Sequence, residues 1–395
     1  MSISYTTQYA AMYRDRTERL GRDIEAYGRL AGLVRAFYLG GSEETFLIGC
    51  LEISTAKPAI IKKYHEVEEV ESVSWQPNAA PKYFIEDAAM ERIELILGLP
   101  KDSSAFPVNG CVLGVVGRRS GRTLVVDRII TPIEAYIAPT EAFCAKKPRL
   151  TAKSPLPGLS PNPENPENPE NPENPETLVV PNVGSMSAAG VEALAKYLRE
   201  SPGCRVVFYS GLTHPETANL NKLSGLAGPE RVRVIPGEED YVPYMIPYTP
   251  PSPVLLGIDP KCTLHPNPSV LSLSGSTVAF CNYLSVREVL RYTKTDVGEP
   301  ETLEDYLKAL EVLVRYRHIS PTSPDTCPTY PHDKDLFVME VLPDVVVVSV
   351  PCSFSSGARR VTTNGITIEL VVFSSLSGMF LSISQTVPKL FPIPL

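Results

Sequence analysis

The chain has 395 residues, 43% of them hydrophobic and 21% charged, and a formal net charge of −8. Its apolar runs are strand-sized, far below the roughly 20 residues that cross a bilayer, so we expect a globular protein with no membrane partner. Five of the 45 acidic residues lie in one repeat, which leaves 40 acidic against 37 basic residues, a near-neutral balance that argues against a protein that grips a nucleic-acid backbone by itself.

The N-terminus predicts an amphipathic helix and no export signal. Tyr9, Met12, Tyr13 and Leu20 fall on one helical face, and residues 1–16 contain no apolar signal core. We assign residues 1–28 to a helix that packs on the C-terminal domain, and we place the protein on the cytosolic and nuclear side of membranes. The eight cysteines occur singly, with no CxxC pair, so we expect reduced thiols and no zinc site in this chain.

Residues 29–145 predict a small barrel of the OB type. A helix is expected over 86–97, where Met90, Ile93 and Leu97 share a face, and Ser120-Gly121 supplies a hairpin turn. Strands are expected at 45–53, 108–117 and 122–130. Strands, a helix and a closing hairpin within about 100 residues suit an OB barrel.

Barrels of this type often bind single strands through aromatic platforms in a basic groove. Here the strands are mostly aliphatic, and Trp75, Tyr83 and Phe84 are predicted to lie in connecting loops. We therefore favour packing of the barrel against a neighbouring protein, with binding of single-stranded DNA as the open alternative.

Five consecutive Asn-Pro-Glu copies occupy 162–176, after a proline-rich stretch at 154–161. A proline at every third position excludes helix, and the glutamates repel one another. We predict a disordered, extended linker over 146–176 that acts as a spacer. A ligand for a proline-binding partner is the alternative.

From 177 to 395 the pattern changes to strands that alternate with helices. Helices are predicted from Ser187, from a capping box of Ser285 and Glu288, and over 302–316. Strands are predicted at 177–186, 204–211, 231–237, 345–350 and 366–373. Apolar strands interleaved with helices indicate a buried sheet that is covered on both faces.

Three stretches after the linker have a recognisable pattern: IPGEEDYVPYMIPYTPPSP (235–253), FCNYLSVREVLRYTK (280–294) and LVRYRHISPTSPDT (313–326). They resemble the B-subunit family of DNA polymerase delta. Weaker likeness at TTQYAAMYRDRTERL and at 110–130 extends the resemblance over nearly the whole chain. The most specific part is the signature loop, which comprises Arg317, His318, Pro321, Thr322, Pro324, Asp325 and Thr326.

The resemblance implies an α/β protein with a β-barrel: an OB domain packed on an inactive calcineurin-like phosphoesterase domain, a two-layered sheet flanked by helices, over 177–395. Active phosphoesterases hold two metals on Asp, Asn and His side chains at strand ends. The corresponding degenerate positions here are Leu212, Glu238, Glu239, Asp240, His318 and Cys352. We expect residues 238–240 to form a solvated turn, no carboxylate partner is evident for His318, and we predict no catalytic or metal-binding residue.

The implied function is a non-catalytic scaffold subunit of the polymerase delta complex in nuclear DNA replication. The implied partners are the cysteine-rich C-terminal module of the catalytic subunit and a third small subunit, with the sliding clamp and DNA reached indirectly. Sharing with polymerase zeta stays open. No cofactor is expected on this chain, and an iron–sulfur or zinc module is expected on the catalytic partner.

Two alternatives belong to other classes. One is an active metallophosphoesterase or 3'–5' exonuclease of the same superfamily, and the other is a free OB protein that binds single-stranded DNA. Candidate interface positions are the loop 237–240 and the strip of Arg315, Arg317 and His318.

Overall fold

The computed structural model describes residues 8–33, 44–54, 81–87, 92–98, 106–121, 123–137, 176–212, 218–294, 299–363, 365–374, 378–384 and 388–392. The predictions for Trp75, Met90, Cys144 and the linker before Glu176 lie outside these residues. The domain boundaries at 28, 145 and 176 stay predictions. Among the described helices, none is long and apolar enough to span a membrane.

The N-terminal helix forms as predicted. Helix α1 spans Tyr9–Leu30 and buries Met12, Leu20 and Ile24. Leu20 and Ile24 pack with Phe46 and Ile48 in one apolar cluster. Helix α1 therefore covers one side of the neighbouring barrel. Without the helix, the apolar side chains of Phe46 and Ile48 would be exposed to water.

Five strands after α1 form a closed barrel. They are β1 (Glu44–Ser54), β2 (Lys82–Glu86), β3 (Arg92–Leu97), β4 (Val112–Ser120) and β5 (Thr123–Ile130), in the order β1-β2-β3-β5-β4. The predicted hairpin joins β4 to β5, with Gly121 at a φ of 63°. A short helix, α2 (Pro132–Ile137), follows.

The helix predicted over 86–97 is wrong, since β2 and β3 occupy this region. β3 pairs antiparallel with β2 and parallel with β5. In β3, Leu95 is buried and Ile96 is 52% exposed, an alternation that the pleat of a strand imposes. Pairing on both sides overrides the helical spacing of the apolar residues, and the β-branched Ile93 and Ile96 favour the strand.

Two sheets lie face to face in the C-terminal part. One runs β16-β15-β6-β7-β8-β9 and the other β10-β11-β12-β14-β13. Their strands are β6 (Thr177–Pro181), β7 (Arg205–Tyr209), β8 (Val232–Ile235), β9 (Thr263–Leu264), β10 (Ser269–Leu273), β11 (Ser276–Cys281), β12 (Val345–Val350), β13 (Gly357–Thr363), β14 (Ile366–Ser374), β15 (Met379–Ile383) and β16 (Lys389–Pro392).

Two sheets with helices on their outer faces thus take the place of the one buried sheet that the strand pattern indicates, and they match the two-layered sheet that the resemblance implies. Val207 of the first sheet and Val347 of the second share one apolar cluster between the layers. Helices α3 (Ala188–Glu200) and α4 (Ala218–Ala227) pack on the first sheet, whereas α6 (Tyr283–Thr293) and α7 (Leu303–Arg315) pack on the second. A four-residue helix, α5 (Pro253–Leu256), precedes β9.

Two helix starts follow the prediction and one does not. Ser187 caps α3 by accepting from Gly190 N at 3.1 Å, and Thr302 caps α7 through a capping box with Asp305. Helix α6 begins earlier than predicted, because the Asn282 Oδ1 accepts from Ser285 N at 3.2 Å. The capping box predicted at Ser285 and Glu288 is therefore wrong, and both residues lie buried inside the helix.

Candidate functional site

The carboxyl ends of parallel strands from both sheets meet at one edge, which we call the strand-end edge. Tyr209, at the end of β7, donates its phenol hydrogen to the carbonyl of Cys281 at the end of β11. The phenol oxygen of Tyr209 also accepts a hydrogen bond from Ser349 N at 3.3 Å. The Ser349 hydroxyl in turn donates to Asn182 Oδ1 at 3.3 Å. The chain's own hydrogen bonds therefore connect the two sheets where the phosphoesterase resemblance puts metal ligands.

The loops at this edge turn sharply. Asn182 and Ser210 have φ values of 50° and 63°, which residues other than glycine rarely adopt. A Cβ on Gly237 would lie 2.0 Å from the Ser210 hydroxyl oxygen. Backbone strain of this kind persists only where the surrounding contacts fix it, and it is common at functional sites.

Asp240 turns inward and fastens two of these loops. Its carboxylate accepts from Leu212 N at 2.6 Å and from Gly237 N at 2.7 Å. Asp240 is buried, and the Leu212 side chain is fully buried in the apolar cluster under α3 and α4. The expectation of a solvated turn is therefore wrong for Asp240, because main-chain amides use both of its oxygens.

The two glutamates before Asp240 have different surroundings. Glu239 is exposed, whereas Glu238 is half-buried. Burial raises the pKa of the Glu238 carboxyl, and the nearby charge of Arg287 opposes this rise. Of the three acidic side chains, only Glu239 behaves as the solvated turn residue that the sequence predicted.

Cys352 follows β12 and is half-buried. Its Sγ lies 3.1 Å from the Tyr306 hydroxyl oxygen, and that hydroxyl also donates to Glu301. Burial raises the pKa of the Cys352 thiol. A protonated thiol is a poor metal ligand and a poor nucleophile, so the surroundings of Cys352 do not favour either role.

His318 uses both ring nitrogens inside the protein. Its Nε2 lies 3.0 Å from Asp335 Oδ2, and its Nδ1 accepts from Ser320 N at 3.2 Å. The ring is 1% exposed. An Nδ1 that accepts and an Nε2–H that donates fit the neutral tautomer, and this arrangement leaves no ring lone pair for a metal.

A carboxylate therefore does face His318, which sequence reasoning missed. Burial and the positive charge of Arg16 outweigh the attraction of Asp335 and lower the pKa of His318 to about 4. Burial alone would raise the pKa of Asp335, but Arg16 and His318 hold it well below its usual range. At neutral pH we infer a neutral imidazole beside an ionised carboxylate.

Arg16 of helix α1 supplies the balancing charge and is fully buried. Its Nε donates to Asp335 Oδ2 at 2.7 Å, and its Nη1 donates to the carbonyls of Gly110 at 3.1 Å and Pro321 at 2.7 Å. Its Nη2 donates to the Ser323 carbonyl at 2.8 Å. One guanidinium thus joins the helix, a barrel loop and the signature loop.

The approach of the barrel loop to the signature loop is very close. A Cβ on Gly110, which has a φ of 81°, would lie 1.9 Å from the Pro321 carbonyl oxygen. Beside it, Asn109 Nδ2 donates to Asp325 Oδ2 at 2.8 Å, and Asn109 Oδ1 accepts from Ile53 N at 2.8 Å. Only glycine fits at 110, so the barrel docks here through main-chain atoms.

Arg317 joins the signature loop to neighbouring parts of the chain. Arg317 has a φ of 50° and donates to the carbonyl of Met339 at 3.2 Å and to Asp23 of α1. Its guanidinium lies 4.2 Å from the centre of the Tyr136 ring. Arg317 and His318 are 3% and 1% exposed, so the prediction that they form an interface strip for another protein is wrong.

The donor set does not fit a two-metal centre. Within the part of the chain that the structure describes, no three His, Cys, Asp or Glu side chains cluster as a metal site. Asp240 and His318 are each satisfied by protein groups. His214 lies outside the described residues.

The aromatic residues of the barrel are in a strand, not in the predicted loops. Tyr83 and Phe84 belong to β2. The Phe84 ring is covered by the Arg92 guanidinium at 3.8 Å, and Tyr83 meets Phe106 edge to face at 5.9 Å. Each contact covers part of a ring on which a nucleic-acid base could otherwise stack.

Comparisons with known proteins agree with the resemblance. Residues 209–355 match the model of the family of DNA polymerase alpha/epsilon B-subunits. The chain is 29% identical over 128 residues to the DNA polymerase delta small subunit of Saccharomyces cerevisiae, a match that covers 28% of this chain and 26% of that relative. The matched part thus spans about a quarter of the curated relative, and the resemblance to the polymerase B-subunit family is confirmed.

A solved structure from Thermus thermophilus, that of the protein TT1561, is also similar to this chain. The identity is 14% and the TM-score is 0.29, with 56% of this chain and 99% of that chain covered.

Two functional residues escaped sequence reasoning, Arg16 and Asp335. Arg16 lies in the weakly family-like N-terminal stretch, 319 positions before Asp335, and Asp335 follows the signature loop. The one available signal was that the signature loop carries a histidine with no evident partner.

Proposed function

We propose that this protein is a non-catalytic scaffold subunit of the DNA polymerase delta complex, with an OB domain and an inactive phosphoesterase domain. The observation that supports this proposal best is that hydrogen bonds within the chain close the strand-end edge. There Asp240 binds the main-chain amides of Leu212 and Gly237. In the signature loop, His318 binds Asp335 and Ser320. Groups that would hold metals in an active relative hold the fold together here.

The position of these groups supports the proposal. Leu212, Asp240, His318 and Cys352 all fall within the residues 209–355 that match the polymerase B-subunit family. The similarity to a delta small subunit favours the delta complex. The closed five-stranded barrel in the order β1-β2-β3-β5-β4 supports the OB assignment, since OB folds are five-stranded barrels.

The proposed partners follow from the same assignment. They are the cysteine-rich C-terminal module of the polymerase catalytic subunit and a third small subunit, within the nucleus. Any iron–sulfur or zinc centre would belong to the catalytic partner. Contact with the sliding clamp and with DNA would be indirect, through these partners, and sharing with polymerase zeta stays open.

Co-purification tests the scaffold function. The full chain is co-expressed with a tagged catalytic subunit from the same organism, and capture at moderate salt is followed by mass spectrometry. We expect a stoichiometric complex. A folded chain that never enters the complex would defeat the proposal.

A nuclease assay tests the active-phosphoesterase alternative. The purified chain is incubated with Mn²⁺ and single-stranded DNA, beside variants Asp240→Ala and His318→Ala. We expect no cleavage that depends on Mn²⁺ and on these residues. Cleavage that both substitutions abolish, while both variants stay folded, would favour an enzyme.

A further inference from the structure

The segment between β8 and β9 exposes a run of apolar side chains, which we call the 241–255 surface. Tyr241 and Tyr244 are 74% and 73% exposed, and Val254 and Leu255 are 84% and 67% exposed. Singly exposed apolar residues are common, whereas clustered ones mark interaction sites, and here two adjacent or near-adjacent pairs, Tyr241 with Tyr244 and Val254 with Leu255, stand in one anchored segment. These four are more exposed than every other large apolar side chain in the described part of the chain.

The segment is held firmly from beneath. Ile246 N donates to the Pro328 carbonyl at 3.0 Å, and the Thr329 hydroxyl donates to the Ile246 carbonyl at 2.7 Å. Tyr248 and Asn267 exchange two main-chain hydrogen bonds at 2.7 and 3.0 Å. Seven prolines between 236 and 260 further limit the backbone.

Such anchoring favours binding. A surface that is already ordered loses little conformational entropy when a partner docks. Tyrosine supplies large contact area with few rotatable bonds, and it is enriched at interface centres. The 241–255 surface therefore has both the side chains and the rigidity of a docking site.

The ionisable side chains within this segment have one sign. No Lys, Arg or His occurs from 234 to 260. Glu239 and Asp259 are exposed, whereas Arg287 of α6 lies near the half-buried Glu238 and the buried Glu288. An apolar patch with an acidic rim selects a partner with basic flanks. A second copy of this chain would bring like charges together.

We propose that the 241–255 surface docks a protein segment that presents apolar side chains flanked by lysine or arginine. The inference rests on the proposed function for its setting, in that the segment belongs to another subunit of the polymerase assembly. It adds the position of the contact on this chain and the chemistry of the partner.

Capture experiments with matched variants test the surface. The full chain is co-expressed with a tagged catalytic subunit and the third small subunit, as wild type, as Tyr244→Ser/Leu255→Ser, and as Glu239→Lys. Ile96→Ser is the control, because Ile96 is an apolar barrel residue that is 52% exposed. Thermal unfolding verifies that each variant is folded.

We expect the double variant to bind at least about tenfold more weakly, as truncation of interface anchors does. Glu239→Lys should weaken binding and reduce its salt dependence, and Ile96→Ser should bind like the wild type. Equal capture of all folded forms would overturn the inference about the 241–255 surface but not the proposed function. Failure to capture the wild type would overturn the proposed function as well. Self-association of the chain that the double variant abolishes would assign the surface to a second copy and overturn the inference.

Discussion

Buried charge in the described residues centres on Arg16, Asp335 and His318. Ionised groups leave water at a large free-energy cost, and only close partners offset it. Arg16 meets Asp335 and three carbonyl oxygens, and Asp335 also meets the neutral His318. The cluster therefore favours one arrangement of α1, the barrel loop and the signature loop, because any other arrangement leaves a charge unpaired.

Replacing Arg16 tests this cluster. We expect Arg16→Met to lower the free energy of unfolding by about 3 kcal/mol or more, because it leaves the buried Asp335 carboxylate without its main partner. Arg16→Lys should recover only part of the loss, since one ammonium cannot reach the acceptors that the guanidinium fork reaches. Urea unfolding measures both. Arg14→Met, at an exposed position of the same helix, is the control, and equal losses at 14 and 16 would contradict the argument.

The protonation of His318 gives a pH dependence. Its pKa of about 4 in the folded state lies below the value of about 6.5 in an unfolded chain. Between these values the unfolded state binds more protons, so stability rises with pH and is lost as the pH falls from 6.5 towards 4. For this fully buried ring the loss is about 3 kcal/mol, at 1.4 kcal/mol per unit.

The variant His318→Gln isolates this contribution. Its amide can donate to Asp335 but does not titrate, so the stability curve between pH 4 and 6.5 should flatten relative to the wild type. His265 is also buried, with a pKa lowered to about 4. Its contribution to the pH dependence of stability should persist in the variant. Urea midpoints across this pH range measure the difference. Parallel curves for the two proteins would show that His318 does not carry the effect.

At the scale of single elements, Asp240 joins the loops after β7 and β8. We expect Asp240→Ala to lower the free energy of unfolding by about 2–3 kcal/mol, because it leaves two buried amides without acceptors. The neighbouring Glu239→Ala should change it by less than about 0.5 kcal/mol, since Glu239 is exposed. Chemical unfolding compares the two. Similar stability of both variants would mean that Asp240 does not hold the loops.

The elements differ in how far the sequence could predict them. Helices α3 and α7 were predictable because a cap precedes a long apolar period, as at Ser187 and Thr302. β12 was predictable because its sequence is six consecutive apolar or small residues. In the structure all six are buried. Residues 86–97 were not, because a short apolar spacing fits a helix as well as a strand, and only pairing with β5 decides between them.

The candidate site was predictable in part for a similar reason. Leu212, Asp240 and His318 were found because they follow strands or stand in a recognisable loop. The partner of His318 was not found, because Asp335 lies 17 positions further along the chain, outside the signature loop, and only the fold brings the two side chains together. The start of α6 was misplaced because Asn282 and Ser285 are both good caps, and the sequence does not rank them.

At the scale of the whole molecule, the same loops that mark the family join its parts. The signature loop contacts α1 through Arg317 and Asp23, and it contacts the barrel through Asp325 and Asn109. Helix α2, after the barrel, packs near Arg317 through Tyr136. The proposed scaffold function needs fixed distances between binding surfaces, and buried polar joints of this kind restrict relative motion.

We therefore expect the barrel and the two-sheet part to unfold together. Calorimetry of the wild type should show one transition whose calorimetric and van't Hoff enthalpies agree. Arg16→Met combined with Asn109→Ala should separate it into two, because two of the polar ties across the joint are removed. Arg118→Met is the control, since it breaks only an exposed ion pair with Asp127 inside the barrel. Two resolved transitions in the wild type would mean that the joint does not couple the two parts.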